Sequence, residues 1–94
     1  HITGGGLYEN VPRIIPDGLC AAIDESKIKV PTVMLELEKR GNIDRKEMHG
    51  TFNMGVGMVL VTDENHVDKI LDLLEDAYVV GEITEGSEKI TLNF

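Results

Sequence analysis

The chain has 94 residues, enough for one domain with a modest core. Hydrophobic residues make up 41% and charged residues 28%, the balance of a globular chain and not of a disordered one. The formal net charge of −8, with Lys and Arg dispersed, argues against a nucleic-acid or anionic-membrane surface, although a small phosphorylated ligand needs only local donors. Cys20 is the single cysteine, so no internal disulfide can form, and its apolar setting predicts a buried thiol on a strand. No run reaches membrane length and no basic-then-apolar leader is present, so a cytoplasmic location is expected.

The opening stretch, His1-Ile2-Thr3-Gly4-Gly5-Gly6-Leu7, removes side chains at three successive positions and lets the backbone turn sharply. Leu7, Val11, Ile14 and Ile15 then recur at helical spacing, so a glycine loop is expected to run into a short helix limited by Pro12. Free amides at that junction suit a phosphate or another anion, and Arg13 could add a forked cation. A plain tight connection is the competing reading, since neither the dinucleotide fingerprint nor the P-loop is matched. Arg13 could equally pair with Glu9, one helical turn back.

Residues 19–24 read as a strand and 24–27 as a polar turn. Pro31 should open a helix whose stripe of Val33, Met34 and Leu37 packs inward and which Gly41 stops. Asp44 and Glu47 have the spacing of a capping box for a helix over 44–50. The apolar run 55–61 is expected as a central strand covered on both faces, with Gly55 and Gly57 beside Asn53 marking close approach by a ligand, a loop or another backbone. A helix is expected over 63–77, with Val67, Ile70, Leu71 and Leu74 on one face and Asp68, Asp72 and Glu75 solvated. Strands at 78–84 and 89–94 should form a hairpin across 85–88. The order predicts an α+β domain. The three histidines have no ligand spacing and no cysteine pair exists, so no metal site is assigned.

Two blocks carry a resemblance. His1 to Leu7 with Glu9-Asn10-Val11-Pro12-Arg13 and Pro16, and then Glu47-Met48 with Thr51-Phe52-Asn53-Met54-Gly55-Val56-Gly57-Met58, resemble the carboxyl-terminal domain of the phosphoribosylformylglycinamidine cyclo-ligase family, the aminoimidazole ribonucleotide synthetases. The resemblance covers essentially the whole chain. It implies that residues 1–94 are part of that domain, a layered α/β arrangement with a mixed sheet and flanking helices. The amino-terminal ATP-binding domain would then lie outside these residues, and the 94 residues alone would be inactive.

The family's activity is closure of the imidazole ring of formylglycinamidine ribonucleotide. ATP activates the formyl oxygen, the amidine-side nitrogen attacks that carbon, and aminoimidazole ribonucleotide, ADP and phosphate result. By resemblance, ATP and Mg²⁺ bind mainly in the other domain, and the enzyme is a homodimer. The first motif implies substrate or phosphate contacts at Thr3, Gly4, Gly5, Gly6, Asn10 and Arg13, and the second at Asn53, Gly55 and Gly57. Asn53 would either touch substrate or pin the glycine turn. His1 is the one residue here suited to proton transfer near neutrality, beside hydrogen-bonding or structural roles. Other ATP-dependent enzymes of the wider superfamily (the formylglycinamide ribonucleotide amidotransferase, thiamine-phosphate kinase and selenophosphate synthetase types) share the glycine triplet, and a stand-alone α+β binding module is the non-enzyme alternative.

Overall fold

A computed structural model describes all 94 residues, His1–Phe94. Four helices, α1 (Gly6–Asn10), α2 (Thr32–Gly41), α3 (Arg45–Thr51) and α4 (Val67–Leu73), accompany three strands, β1 (Leu19–Asp24), β2 (Gly81–Glu85) and β3 (Ile90–Asn93). The fold is α+β with a mixed sheet in the order β2-β1-β3. β1 runs antiparallel to β2, with Ala21 opposite Ile83, and parallel to β3, with Ala21 opposite Ile90.

The core lies between one face of β1 and α1. Ala21 and Ile23, two apart and therefore on one face of the strand, pack with Ile2, Leu7, Val11, Ile15, Ile28 and Leu92. Leu7 and Val11 are one helical turn apart, so the chain enters its 3₁₀ turn at Val11–Ile14 with both side chains already on the sheet. Pro12 sits at the start of that turn, where its missing N–H removes no bond. Cys20 faces the other way, buried, with Sγ 3.7 Å from Thr91 Oγ1.

Several expectations fail, each for a physical reason. The 78–84 and 89–94 segments are not a hairpin: β1 lies between them, and the connection crosses the start of β1, where Gly86 N–H donates to the Gly18 carbonyl at 3.0 Å and Ala21 N–H to the Lys89 carbonyl at 2.9 Å. The four-residue spacing fits this crossing as well as a turn, because the strand between adds about 5 Å on each side. The run 55–61 is not a strand. It forms no ladder, its one bond to the opening segment goes from Ile2 N–H to the Gly57 carbonyl at 2.9 Å, and Met58, Leu60 and Val61 are exposed. A strand needs a ladder partner, and this run pairs with neither of the sheet's free outer edges, that of β2 or that of β3.

The other departures concern helices. α2 has no fully buried residue: of its expected stripe, Val33 and Leu37 are exposed and Met34 is half-buried. Pro31 is the residue before α2, and Asn42, at φ 51, provides the left-handed stop expected of Gly41. Asp44 precedes α3 but makes no side-chain capping bond, so the capping box is not formed. The 63–77 helix is shorter, a 3₁₀ turn at Glu64–His66 followed by α4, with Val67, Ile70 and Leu71 half-buried and Leu74 exposed.

Candidate functional site

The two sequence blocks meet at the carboxyl end of α3. Gly5 N–H donates to the Thr51 carbonyl at 3.3 Å, Gly6 N–H to the Thr3 carbonyl at 3.1 Å, and Ile2 N–H to the Gly57 carbonyl. Gly6, at φ 62, is buried, and a Cβ there would lie 2.1 Å from the His49 carbonyl oxygen and 2.4 Å from that of Phe52. Only a residue without a side chain can seat the loop on α3 in this way. Gly4 differs: it is exposed, a Cβ there would meet nothing within 4 Å, and its N–H has no backbone acceptor. Of the triplet, Gly5 and Gly6 have their amides engaged within the chain, and the amide of exposed Gly4 has no acceptor in it.

Asn10 ties the loop from inside. Buried, it directs Nδ2 at the carbonyls of Gly6 (2.7 Å), Thr3 (3.3 Å) and Gly4 (3.3 Å), and its Oδ1 accepts from the Thr3 hydroxyl at 3.3 Å. Two amide hydrogens shared among three carbonyls leave the side chain no donor for a ligand. Thr3 and His1 are exposed beside the same loop. Arg13 is exposed on the 3₁₀ turn after α1 and joins no ion pair, so the alternative pairing with Glu9 is not made.

In the second block, Asn53 Oδ1 accepts from Gly55 N–H at 2.9 Å, a side-chain turn that holds Met54 at φ 53 and Gly55 at φ 91. A Cβ at Gly55 would lie 2.6 Å from Pro31 Cδ, so this glycine is required by the approach of a neighbouring loop. Gly57 is exposed and offers its carbonyl to Ile2. The structure thus brings His1, Thr3, Gly4, Gly5, Gly6, Asn10 and Gly57 to one place, with Asn53 and Gly55 on the turn that follows α3. No hydrogen bond or ion pair ties Arg13 to them.

Beneath the loop lies a charged network that the sequence reading missed. Arg45 donates through Nη1 to Glu25 Oε1 at 2.7 Å and through Nε and Nη2 to Glu38 at 2.5 and 2.9 Å. His49 Nε2 lies 3.2 Å from the same Glu25 oxygen. Arg45 and His49, four apart, share a face of α3, and that spacing was visible. Their partners come from the turn after β1 and from α2, which spacing does not reveal. The Arg45 guanidinium holds the Glu38 carboxyl below its usual range through direct hydrogen bonds, and the two carboxylates push Arg45 upward. His49 is fully buried, edge-on to Phe94 with ring centroids 6.1 Å apart, and its Nδ1 has no partner. A buried polar atom left unpaired costs about 1–3 kcal/mol.

Two hollows flank these elements. A polar one of about 390 Å³ lies between α1 and α3, lined by Tyr8, Glu9, Asp44, Lys46, Glu47 and Gly50. There Tyr8 is pushed up, first by burial and then by the nearby Asp44 charge. An apolar one of about 460 Å³ opens between the sheet, α4 and the run 55–62, with Val56, Val59, Ile70, Leu71 and Val80 among its walls.

This arrangement has known relatives. The family model described as AIR synthase related protein, C-terminal domain, matches residues 1–93. The chain belongs to that family. Among curated proteins, it is 48% identical over 93 residues to a phosphoribosylformylglycinamidine cyclo-ligase from Staphylococcus carnosus, covering 95% of this chain and 27% of that protein. It is 51% identical over 89 residues to one from Oceanobacillus iheyensis, 90% and 26% covered, and 54% identical over 88 residues to one from Bifidobacterium longum subsp. infantis, 89% and 26% covered. The chain therefore spans about a quarter of the length of these relatives. No helix in it is long and apolar enough to cross a membrane.

Proposed function

We propose that these 94 residues form part of the carboxyl-terminal domain of a phosphoribosylformylglycinamidine cyclo-ligase, and that they supply one wall of its ribonucleotide site. The observation that carries this reading is the convergence of the two sequence blocks: Ile2 bonds to Gly57 and Gly5 to Thr51, so the glycine loop and the Phe52-Asn53-Met54-Gly55 turn are one structural unit. The shared name of the relatives supports the substrate, formylglycinamidine ribonucleotide.

In this reading the Gly4 amide meets phosphate oxygens, the ribose phosphate of the substrate or the phosphoryl group in transit, and the Thr3 hydroxyl joins it by turning its one proton from Asn10 Oδ1 to the anion. Arg13 approaches the same anion from the next turn. Asn10, Gly6, Asn53 and Gly55 keep those donors in place, which is how binding energy becomes orientation at the reacting centre. His1 stands at the loop's edge, where its imidazole would take the proton released on ring closure. ATP activates the formyl oxygen, the amidine-side nitrogen attacks that carbon, and phosphate departs with the oxygen.

The acids of this chain do not converge on a metal-sized point. In the cyclo-ligase reading, Mg²⁺ and most of the ATP site belong to the remainder of the enzyme. That remainder, the other three-quarters of the relatives' length, is also the natural cover for the apolar hollow and for the unpaired run 55–61. Exposed apolar surface of this kind calls for cover, which favours a larger enzyme over a free-standing module; by family resemblance that enzyme would be a homodimer in the cytoplasm.

The test is turnover. The full-length enzyme carrying these residues, given formylglycinamidine ribonucleotide, ATP and Mg²⁺, should release aminoimidazole ribonucleotide, ADP and phosphate in equal amounts. The 94 residues alone should release none. Turnover of a thiamine phosphate, selenide or a glutamine-dependent amidation substrate in place of ring closure would overturn the assignment.

A further inference from the structure

We infer that His49, held by the Glu25 carboxylate that Arg45 also binds, is a positioning residue that sets the seat of the glycine loop. Its side chain and its carbonyl face different partners. Nε2 reaches back to Glu25 in the turn after β1, 3.2 Å away, while the carbonyl oxygen of the same residue lies against Gly6, where a Cβ would stand 2.1 Å from it. Two residues further on, the Thr51 carbonyl accepts the Gly5 amide. α3 thus transmits the placement of β1 to the loop: Glu25 follows directly from β1, and Arg45, at the first turn of α3, binds the same Glu25 oxygen at 2.7 Å. Glu25 fixes α3 at both ends of one face, through Arg45 and through His49.

Packing alone does not explain a histidine here. The site is closed to solvent and Nδ1 finds no partner, so an apolar side chain of similar volume would avoid the desolvation that His49 incurs. What the imidazole adds is a directional bond to a carboxylate that also holds Arg45. The Glu38 carboxylate completes the clamp by binding the other edge of the Arg45 guanidinium, so α2 is joined to the same anchor.

This inference rests on the cyclo-ligase reading for what the loop binds, and stands apart from it for how the loop is held. The experiment uses the full-length enzyme with His49→Leu, which removes the bond, and His49→Gln, whose amide can reach Glu25 again. Residue-resolved hydrogen exchange is read at the Gly5 amide, with Ala21, bonded to Lys89 across the sheet, as reference. The Leu variant should speed exchange at Gly5 about tenfold with Ala21 unchanged, and the Gln variant should restore it.

KM for formylglycinamidine ribonucleotide should rise about tenfold in the Leu variant and recover in the Gln variant, with KM for ATP unmoved. Equal acceleration at Gly5 and Ala21, or no change at Gly5, overturns the positioning role. If wild type fails to turn over the ribonucleotide, the substrate reading falls, and the exchange data still decide whether His49 seats the loop.

Discussion

Gly6 and His49 meet backbone to backbone: a single methyl group at residue 6 would be driven to 2.1 Å from the His49 carbonyl oxygen. That contact also fixes Gly6 at φ 62, a conformation L-residues adopt only under strain. Gly6→Ala should therefore lower unfolding free energy by about 3 kcal/mol, combining left-handed strain with a clash that α3 must yield to. Gly4→Ala, in open space, should stay within about 0.5 kcal/mol of wild type. Urea melts of the two variants check both, and equal midpoints would contradict the contact.

Asn10 should be the most sensitive polar residue of the first block. It binds three carbonyls of the loop from a buried position, so Asn10→Ala leaves the buried Gly6 carbonyl without this donor and unties the part-buried Thr3 and Gly4 carbonyls. The expected loss is about 2 kcal/mol. Asn10→Asp should do no better, because it replaces the donating amide with an acceptor facing carbonyl oxygens. Thermal melts of both variants test this, and recovery by Asp would show that only side-chain volume matters.

How much of this was legible from sequence depends on whether the controlling contact was local. β1 and the α1 loop could be read because apolar spacing, the glycine triplet and Pro12 act within a few residues. The false hairpin had the same local signals, but strand order is a choice among partners, and Cys20, Ala21 and Ile23 offered β2 and β3 a better neighbour than each other. The run 55–61 had the composition of a buried strand, yet composition states a demand for cover and not that cover is present. In the site, the grouping of the two blocks followed from their resemblance. The reasons for individual residues did not: Gly55 is small because Pro31 approaches it, and His49 is held by Glu25, both contacts between elements distant in sequence.

The Arg45 cluster should give the fold an acid-sensitive component. Arg45 holds the Glu38 carboxyl below its ordinary value of 4.5, and the Ser26 hydrogen bond lowers Asp24 likewise. Groups depressed in the folded state contribute stability above their unfolded values, and that stability is lost as pH falls through the folded ones. Arg45 itself stays charged throughout and adds no slope. Urea midpoints should thus be level down to the carboxylate range and fall below it. Arg45→Met should reduce that acid slope and, by leaving Glu25 without its cation, lower stability near neutrality by about 2 kcal/mol. An unchanged slope would mean that other carboxylates set the acid limit.

Arg13 separates binding from folding. It is exposed, makes no ion pair and sits on the 3₁₀ turn after α1, so its charge has no structural partner to lose. In the full-length enzyme, Arg13→Ala should leave unfolding free energy within about 0.5 kcal/mol of wild type. A charge-assisted contact to phosphate that exists equally in ground and transition states affects KM more than kcat. KM for the ribonucleotide should accordingly rise about tenfold while kcat stays within about threefold. Arg13→Lys should recover part of the loss, keeping the charge but not the fork. Steady-state kinetics at two ionic strengths would check the electrostatic origin, since higher salt should narrow the gap between wild type and the Ala variant. An unchanged KM together with a lower melting temperature would instead assign Arg13 to the fold and remove it from the anion site.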